Sequence, residues 1–251
     1  MSRVIAVTNQ KGGVGKTTTC INLAASLVKT KRRVLLIDLD PQCNATTGSG
    51  IARDDVEHSI YDVLLGEATI EEAMRDTSTY RLVPSEPDLA GIQVEPGEGT
   101  ERDFRLKNAL APVRESFDYV FIDCPPALNV LTVNALVAAD SVLIPVQCEY
   151  YALEGLSALL ETVERIRRGY NPELTIEGLL RTMFDGRNSL ANEVSEQLTV
   201  HFGDKVFRTL IPRNVRLAEA PSYGKAVIEY DTACIGSRAY LALAGEMLRR
   251  S

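Results

Sequence analysis

The sequence predicts a single-domain, doubly wound α/β fold, a mostly parallel β-sheet with helices on both faces. Three observations carry this expectation. Short β-branched runs alternate with longer segments of helical periodicity, the order that builds βαβ units. Runs such as 34–37 and 119–122 are apolar at nearly every position, as strands buried on both faces are. The 251 residues, 45% hydrophobic and 24% charged, suffice for one sizeable core without help from metals or disulfides.

The first strand is expected over 3–8, where Val4, Ile5, Ala6 and Val7 run together. A glycine-rich turn then feeds a helix over 16–30, and a second apolar run, 34–37, ends in Asp38. Helical patterns follow over 59–65, 70–76 and 102–117. The stretch 95–100, Glu-Pro-Gly-Glu-Gly-Thr, has the composition of a loop. Both its flanks continue the same α/β pattern, so one domain over 1–251 is the economical expectation. Strand 119–122 leads to Asp123, helix 130–138 follows, and 141–146 reads as another buried strand. Then come a helix over 153–168, a strand over 176–184, a helix over 190–201 and a strand over 206–210. The last helix spans 235–250, with Tyr240, Leu241, Leu243, Ala244, Met247 and Leu248 supplying an apolar face for packing.

Several function classes are excluded at this level. No apolar run approaches the roughly 20 residues of a membrane span. The N-terminus enters the first strand without signal-peptide organisation, and the five cysteines are odd in number with no CxxC pair, which predicts a reduced, cytoplasmic protein. The two histidines, His58 and His201, have no metal-ligand spacing. A formal charge of −7 argues against a surface coated with basic residues for nucleic acid. That acidity is lopsided: residues 1–150 hold 14 Lys and Arg against 21 Asp and Glu, while 151–251 hold 13 of each. From Arg181 to Lys225 there are seven basic and five acidic residues, enough for a modest basic stripe.

The most informative segment is Gln10-Lys11-Gly12-Gly13-Val14-Gly15-Lys16-Thr17-Thr18-Thr19, between the first strand and the first long helix. Glycines there turn backbone amides toward a phosphate chain, and the helix N-terminus adds positive potential. Lys16 reaches the β/γ-phosphates and Thr17 offers its hydroxyl to Mg²⁺. Gln10 replaces the first glycine of the usual GxxxxGK[ST] pattern, but the GK[ST] end stands in the right strand-turn-helix context. The residues predict a nucleoside triphosphate site. Asp38 and Asp40 follow the second strand at i and i+2, on the same side of the chain. At a sheet's C-terminal edge Asp40 is placed to orient an attacking water, and Asp38 to support either the Mg²⁺ shell or the loop. Asp123 ends an apolar strand as a Walker B aspartate does, holding a Mg²⁺-bound water, and Pro125-Pro126 stiffens the turn. Cys124 reads as a small packed side chain.

Lys11, a second lysine within KGGVGKTT, makes the loop resemble the deviant Walker A motif of the ParA/MinD family of ATPases. With Asp38-Leu39-Asp40-Pro41-Gln42, the Asp123 strand end, and the stretches 183–187 and 211–225, the resemblance extends over nearly the whole chain and is closest to the chromosomal ParA, or Soj-like, subgroup. It implies an ATPase with ATP and Mg²⁺ sandwiched between two protomers, Lys11 of each reaching the other's nucleotide. It assigns Asp40 to hydrolysis and Thr17, Asp40 and Asp123 to the metal, and it lines the adenine pocket with Pro212 and Asn214. Arg187 and Arg216 match positions that contact DNA without sequence preference, with Lys225 and Arg213 as weaker matches. It further implies a ParB-type partner that stimulates slow hydrolysis. A MinD-like or other cargo-positioning ATPase, acting at a membrane or on another cargo, is the alternative; the last helix reads as a packing helix without an added membrane-targeting one. Iron–sulfur relatives of the fold use cysteine pairs not evident here. The phosphate loop starts within eleven residues of Met1, so a preceding helix-turn-helix and specific operator binding are not expected.

Overall fold

The computed structural model describes residues 2–93 and 99–250. The expected loop over 95–100 therefore falls mostly outside the described residues; Gly99 and Thr100 open a 3-10 turn, Gly99–Phe104. Seven strands form one sheet: β1 (Arg3–Val7), β2 (Val34–Asp38), β3 (Arg75–Asp76), β4 (Arg81–Val83), β5 (Tyr119–Asp123), β6 (Ser141–Gln147) and β7 (Thr175–Thr182). Their order is β3-β4-β2-β5-β1-β6-β7, and only β3 runs antiparallel to its neighbour. The helices are α1 (Lys16–Lys29), α2 (Asn44–Gly48), α3 (Ile60–Leu65), α4 (Ile70–Ala73), α5 (Arg105–Leu110), α6 (Val130–Ala138), α7 (Ala152–Gly169), α8 (Ser189–Phe202), α9 (Val215–Glu219), α10 (Val227–Tyr230) and α11 (Ile235–Arg250).

The period of two along each strand builds the two faces. Val4 and Ala6 of β1, Leu35 and Ile37 of β2, and Val120 and Ile122 of β5 point into one core, which α3 to α8 cover. Ile5, Val7, Leu36 and Phe121 point into the other, closed by α1, α9, α10 and α11. Tyr240, Leu243, Ala244 and Met247 of α11 are buried in that second core, so its apolar face is used in packing. Parallel register brings Val7 and Asp38 opposite Asp123. The chain leaves β1 toward β2 on one side and later adds β6 on the other, which makes the end of β1 a topological switch point where ligands gather.

Four expectations need correction. The helix expected over 102–117 is broken: Ala111 keeps helical backbone, but Pro112 lacks the N–H that would continue the ladder, so α5 stops at Leu110, and a short 3-10 turn, Arg114–Ser116, follows. The helix over 70–76 ends at Ala73, and Arg75 and Asp76 instead pair with β4 through a turn closed by Thr77 N to Tyr80 O at 3.0 Å. Strand β4 itself, three residues long, was not expected. The run 206–210 is not a regular strand. Phe207 N bonds Leu179 O at 3.0 Å, but Glu246 takes the amides of Arg208 and Thr209 at 2.8 and 2.9 Å, and Arg181 Nη2 takes Phe207 O at 2.6 Å. Side chains thus satisfy backbone groups that a ladder would have used. Strand β7 ends at Thr182, two residues early, where Met183 enters left-handed backbone at φ 48°.

Candidate nucleotide site

The phosphate loop bridges β1 and α1. Gly13 and Gly15 have φ of +74° and +88°, values that L side chains rarely adopt, and a side chain at Gly12 or Gly13 would meet no protein atom within 4 Å. The loop therefore presents bare backbone on an open side. Two contacts pin it to neighbouring strands, Asn9 Nδ2 to Pro145 O at 2.8 Å and Thr182 Oγ1 to Val14 O at 2.8 Å, and Lys11 N donates to Asn9 Oδ1 at 3.0 Å within the loop. Lys16 is buried and its Nζ donates to Lys11 O at 3.3 Å, across the mouth of the loop. Burial lowers its pKa, opposed most strongly by the Asp123 charge.

The two strand ends supply the acids. Thr17 Oγ1 donates to Asp123 Oδ2 at 2.6 Å, and Cys20 Sγ approaches Oδ1 at 3.6 Å. Burial pushes the Asp123 carboxyl well above the usual range, and the Asp38 charge pushes it further. Asp38 is equally buried and raised by burial, partly offset by its hydrogen bonds to Thr46. Its Oδ2 accepts from Thr46 N at 2.8 Å and Thr46 Oγ1 at 2.7 Å, and its Oδ1 from Asp40 N at 3.2 Å. Of its two expected roles, Asp38 performs loop support: both oxygens hold the turn that leads through the left-handed Cys43 into α2. Asp40 is 7% exposed, and its Oδ1 accepts from Gln42 N at 3.0 Å. Cys124 is buried, its thiol pushed up by burial, as a packed side chain should be.

On the other side of Gly15, a cavity of about 180 Å³ lies between Thr18, Thr182, Pro212, Asn214 and Leu217. Asn214 lines it, and its Oδ1, packed beside Gly236, has no hydrogen-bond partner among the described residues. An orphaned carboxamide oxygen beside the phosphate loop fits recognition of an exocyclic amine on a base. The oxygen-only set of Thr17, Asp40 and Asp123 fits a hard cation. Among the described residues no group of three or more His, Cys, Asp or Glu side chains is placed to hold a metal ion.

The remaining expected residues lie at the periphery. Lys11 pairs with Glu149 beyond β6. Arg187 is bound to Asp185 at 2.7 Å. Arg216 is held by Glu219 at 2.8 Å and Asp231 at 3.3 Å, with Tyr230 beneath its guanidinium at 5.9 Å. Sequence reasoning missed Asn9, Thr46, Glu149 and Thr182, which position the loop, Asp38 and Lys11. Asn9 adjoins the glycine turn and Thr46 lies eight residues after Asp38; Glu149 and Thr182 come from distant segments.

A family model described as an AAA domain matches residues 2–176. The chain is 52% identical over 252 residues to the chromosome partitioning protein ParA of Caulobacter vibrioides, covering 99% of this chain and 94% of that one. It is 52% identical over 249 residues to the sporulation initiation inhibitor protein Soj of Bacillus subtilis, covering 98% of each. Among solved structures, cobyrinic acid a,c-diamide synthase from Mycobacterium smegmatis with bound ADP and magnesium superposes with a TM-score of 0.86 at 37% identity, over 100% of this chain and 95% of that one. On these matches and on the loop and strand-end geometry, the chain belongs to the ParA/MinD-type family of AAA-domain ATPases.

Proposed function

We propose that this chain is an ATP-dependent DNA-partitioning ATPase, one ParA-type domain over 1–251, that acts as a nucleotide-sandwich dimer on the nucleoid. The observation that carries the reading is the meeting of Lys16 and Thr17, at the start of α1, with Asp123, at the end of β5, beneath a loop of positive-φ glycines. In this reading Lys11, Gly12, Gly13, Val14, Gly15, Lys16, Thr17 and Thr18 bind the ATP phosphates, and Pro212 and Asn214 bind the base. Thr17, Asp40 and Asp123 hold Mg²⁺, partly through water, and the ion supplies charge neutralisation at the phosphates. Asp40 orients the attacking water. Lys11 crosses to the partner's nucleotide, where a second cation offsets developing charge as an arginine finger does.

ATP then governs DNA binding because it makes the dimer. A few arginines per protomer, Arg187 and Arg216 among them, give weak binding that doubling makes useful. A ParB-type protein stimulates hydrolysis and releases the DNA. The relatives named ParA and Soj support partitioning as the task. The burial of the apolar face of α11 favours DNA over a bilayer as the dimer's platform. Fluorescence anisotropy of a labelled random-sequence duplex at low salt tests this reading. Binding is expected with ATP and Mg²⁺, weak with ADP, and lost in Lys16→Ala. Nucleotide-independent binding, or none, contradicts it.

A further inference from the structure

The C-terminal fifth of the chain separates its charges. Residues 203–250 hold eight Lys and Arg and five Asp and Glu. The acids are turned to internal work. Glu246 is buried and accepts from Arg208 N, Thr209 N, Thr209 Oγ1 and Arg250. Glu219 and Asp231 hold Arg216, and Glu229 caps the amide of Ala226. Of these acids only Asp204 is exposed. The cations, by contrast, project. Arg208, Arg213, Arg238 and Arg249 are exposed, and their side chains make no hydrogen bond, ion pair or ring contact with the described residues.

These free arginines share one strip. Helix α11 and the segment 204–216 run antiparallel along the flank of the sheet. Their contacts climb in order: Arg250 to Asp204 O at 2.9 Å, Glu246 to Arg208 N at 2.8 Å, Gly236 beside Asn214, and Asp231 to Arg216 at 3.3 Å. On α11, Arg238, Ala242, Gly245 and Arg249 fall at i, i+4, i+7 and i+11, one outward face. Ala242 and Gly245 keep the floor low, and a groove of about 1080 Å³ opens there between Arg208 and Arg249. From Gly236 to Arg250 the helix rises about 21 Å, which spans about six base pairs at 3.4 Å each.

We propose that duplex DNA lies along this strip, with Arg208, Arg238 and Arg249 contacting phosphates below Arg213 and Arg216. The proposal rests on the DNA-binding reading above and extends it from the nucleotide edge of the sheet to its opposite edge. Duplex DNA is favoured over an acidic peptide because the cations continue beyond the groove along a line of helical length: Arg238 and Arg213 lie outside its lining.

The test is the salt dependence of duplex binding by the protein loaded with a non-hydrolysable ATP analogue and Mg²⁺. Each lost phosphate contact lowers the slope of log K against log salt by about 0.9. The triple variant Arg208→Gln/Arg238→Gln/Arg249→Gln is expected to bind tenfold or more weakly with a shallower slope, while ATP turnover, whose site lies at the other edge, is unchanged. The gain variant Ala242→Arg adds a cation to the strip without removing any contact and is expected to steepen the slope, which keeps the test valid if the triple variant folds poorly. An unchanged slope in both variants, with Arg216→Gln still weakening binding, overturns the strip and leaves DNA binding at the nucleotide edge intact. A wild-type protein that binds no duplex at low salt overturns both.

Discussion

Lys11 of the phosphate loop is ion-paired through its Nζ with the Glu149 carboxylate just beyond β6, within the same chain. A lysine required in a partner's site must first leave this carboxylate. The two side chains are 42% and 47% exposed, so the pair contributes about 0–1 kcal/mol and forms a weak latch. A dimer breaks two such pairs, so Glu149→Gln is expected to tighten ATP-dependent dimerisation by no more than about thirtyfold, measured by sedimentation equilibrium. A variant that abolishes dimerisation would assign Glu149 to the interface instead.

Asp40 is expected to govern turnover and not nucleotide affinity. Its Oδ1 holds Gln42 N, so the substitutions separate two effects. Asp40→Asn keeps that acceptor, and Asp40→Ala removes it. Both are expected to bind ATP, form dimers and persist on DNA with phosphate release reduced by about a hundredfold, the general-base range. Undiminished phosphate release removes Asp40 from catalysis.

Thr46 is the hinge of the buried network behind the site. Its hydroxyl donates to Asp38 at 2.7 Å and accepts from Ser85 N at 2.9 Å, with no exposure. Thr46→Val keeps the shape, leaves Ser85 N without its acceptor and removes one of the two bonds to Asp38 Oδ2, the Thr46 N bond remaining, so urea unfolding is expected to show a loss of about 1–3 kcal/mol. An unchanged midpoint and slope would mean that water replaces the hydroxyl.

The buried carboxyls make nucleotide-free stability depend on pH. The folded state raises the pKa of both Asp38 and Asp123, chiefly by burial, so it binds their protons more tightly than the unfolded chain does. Their stabilising contribution is full below the ordinary carboxylate range near pH 4 and is lost as pH climbs toward and through the raised values. Without nucleotide, wild-type melting temperature is expected to fall between weakly acidic and weakly alkaline pH, and Asp123→Asn to flatten that decline and melt higher at pH 8. An equal decline in the variant places the pH dependence elsewhere.

The legibility of this site in the sequence follows the range of its interactions. Lys16, Thr17 and the glycines were readable because one loop and one helix start contain them. Asp38 and Asp123 were readable because apolar strands end on them, and parallel register then sets the two side by side. The role of Asp38 was not readable. It depends on Thr46, brought back by the left-handed Cys43, and no local pattern announces a non-glycine residue at φ 58°. Glu149 and Thr182 reach the loop from sequence separations of 138 and 168 residues. The run 206–210 has the residues of a strand, and only the distant Glu246 and Arg181 explain why its amides and carbonyls leave the ladder. Pro112, by contrast, was a visible stop within the expected helix 102–117.

The central claim is that ATP joins two protomers through Lys11. Sedimentation velocity of wild type and Lys11→Ala, each with ATP and Mg²⁺ and in the slow-turnover Asp40→Ala background, measures it most directly. Wild-type Lys11 is expected to give a dimer and Lys11→Ala a monomer that still binds nucleotide. An unchanged dimer in Lys11→Ala contradicts the account.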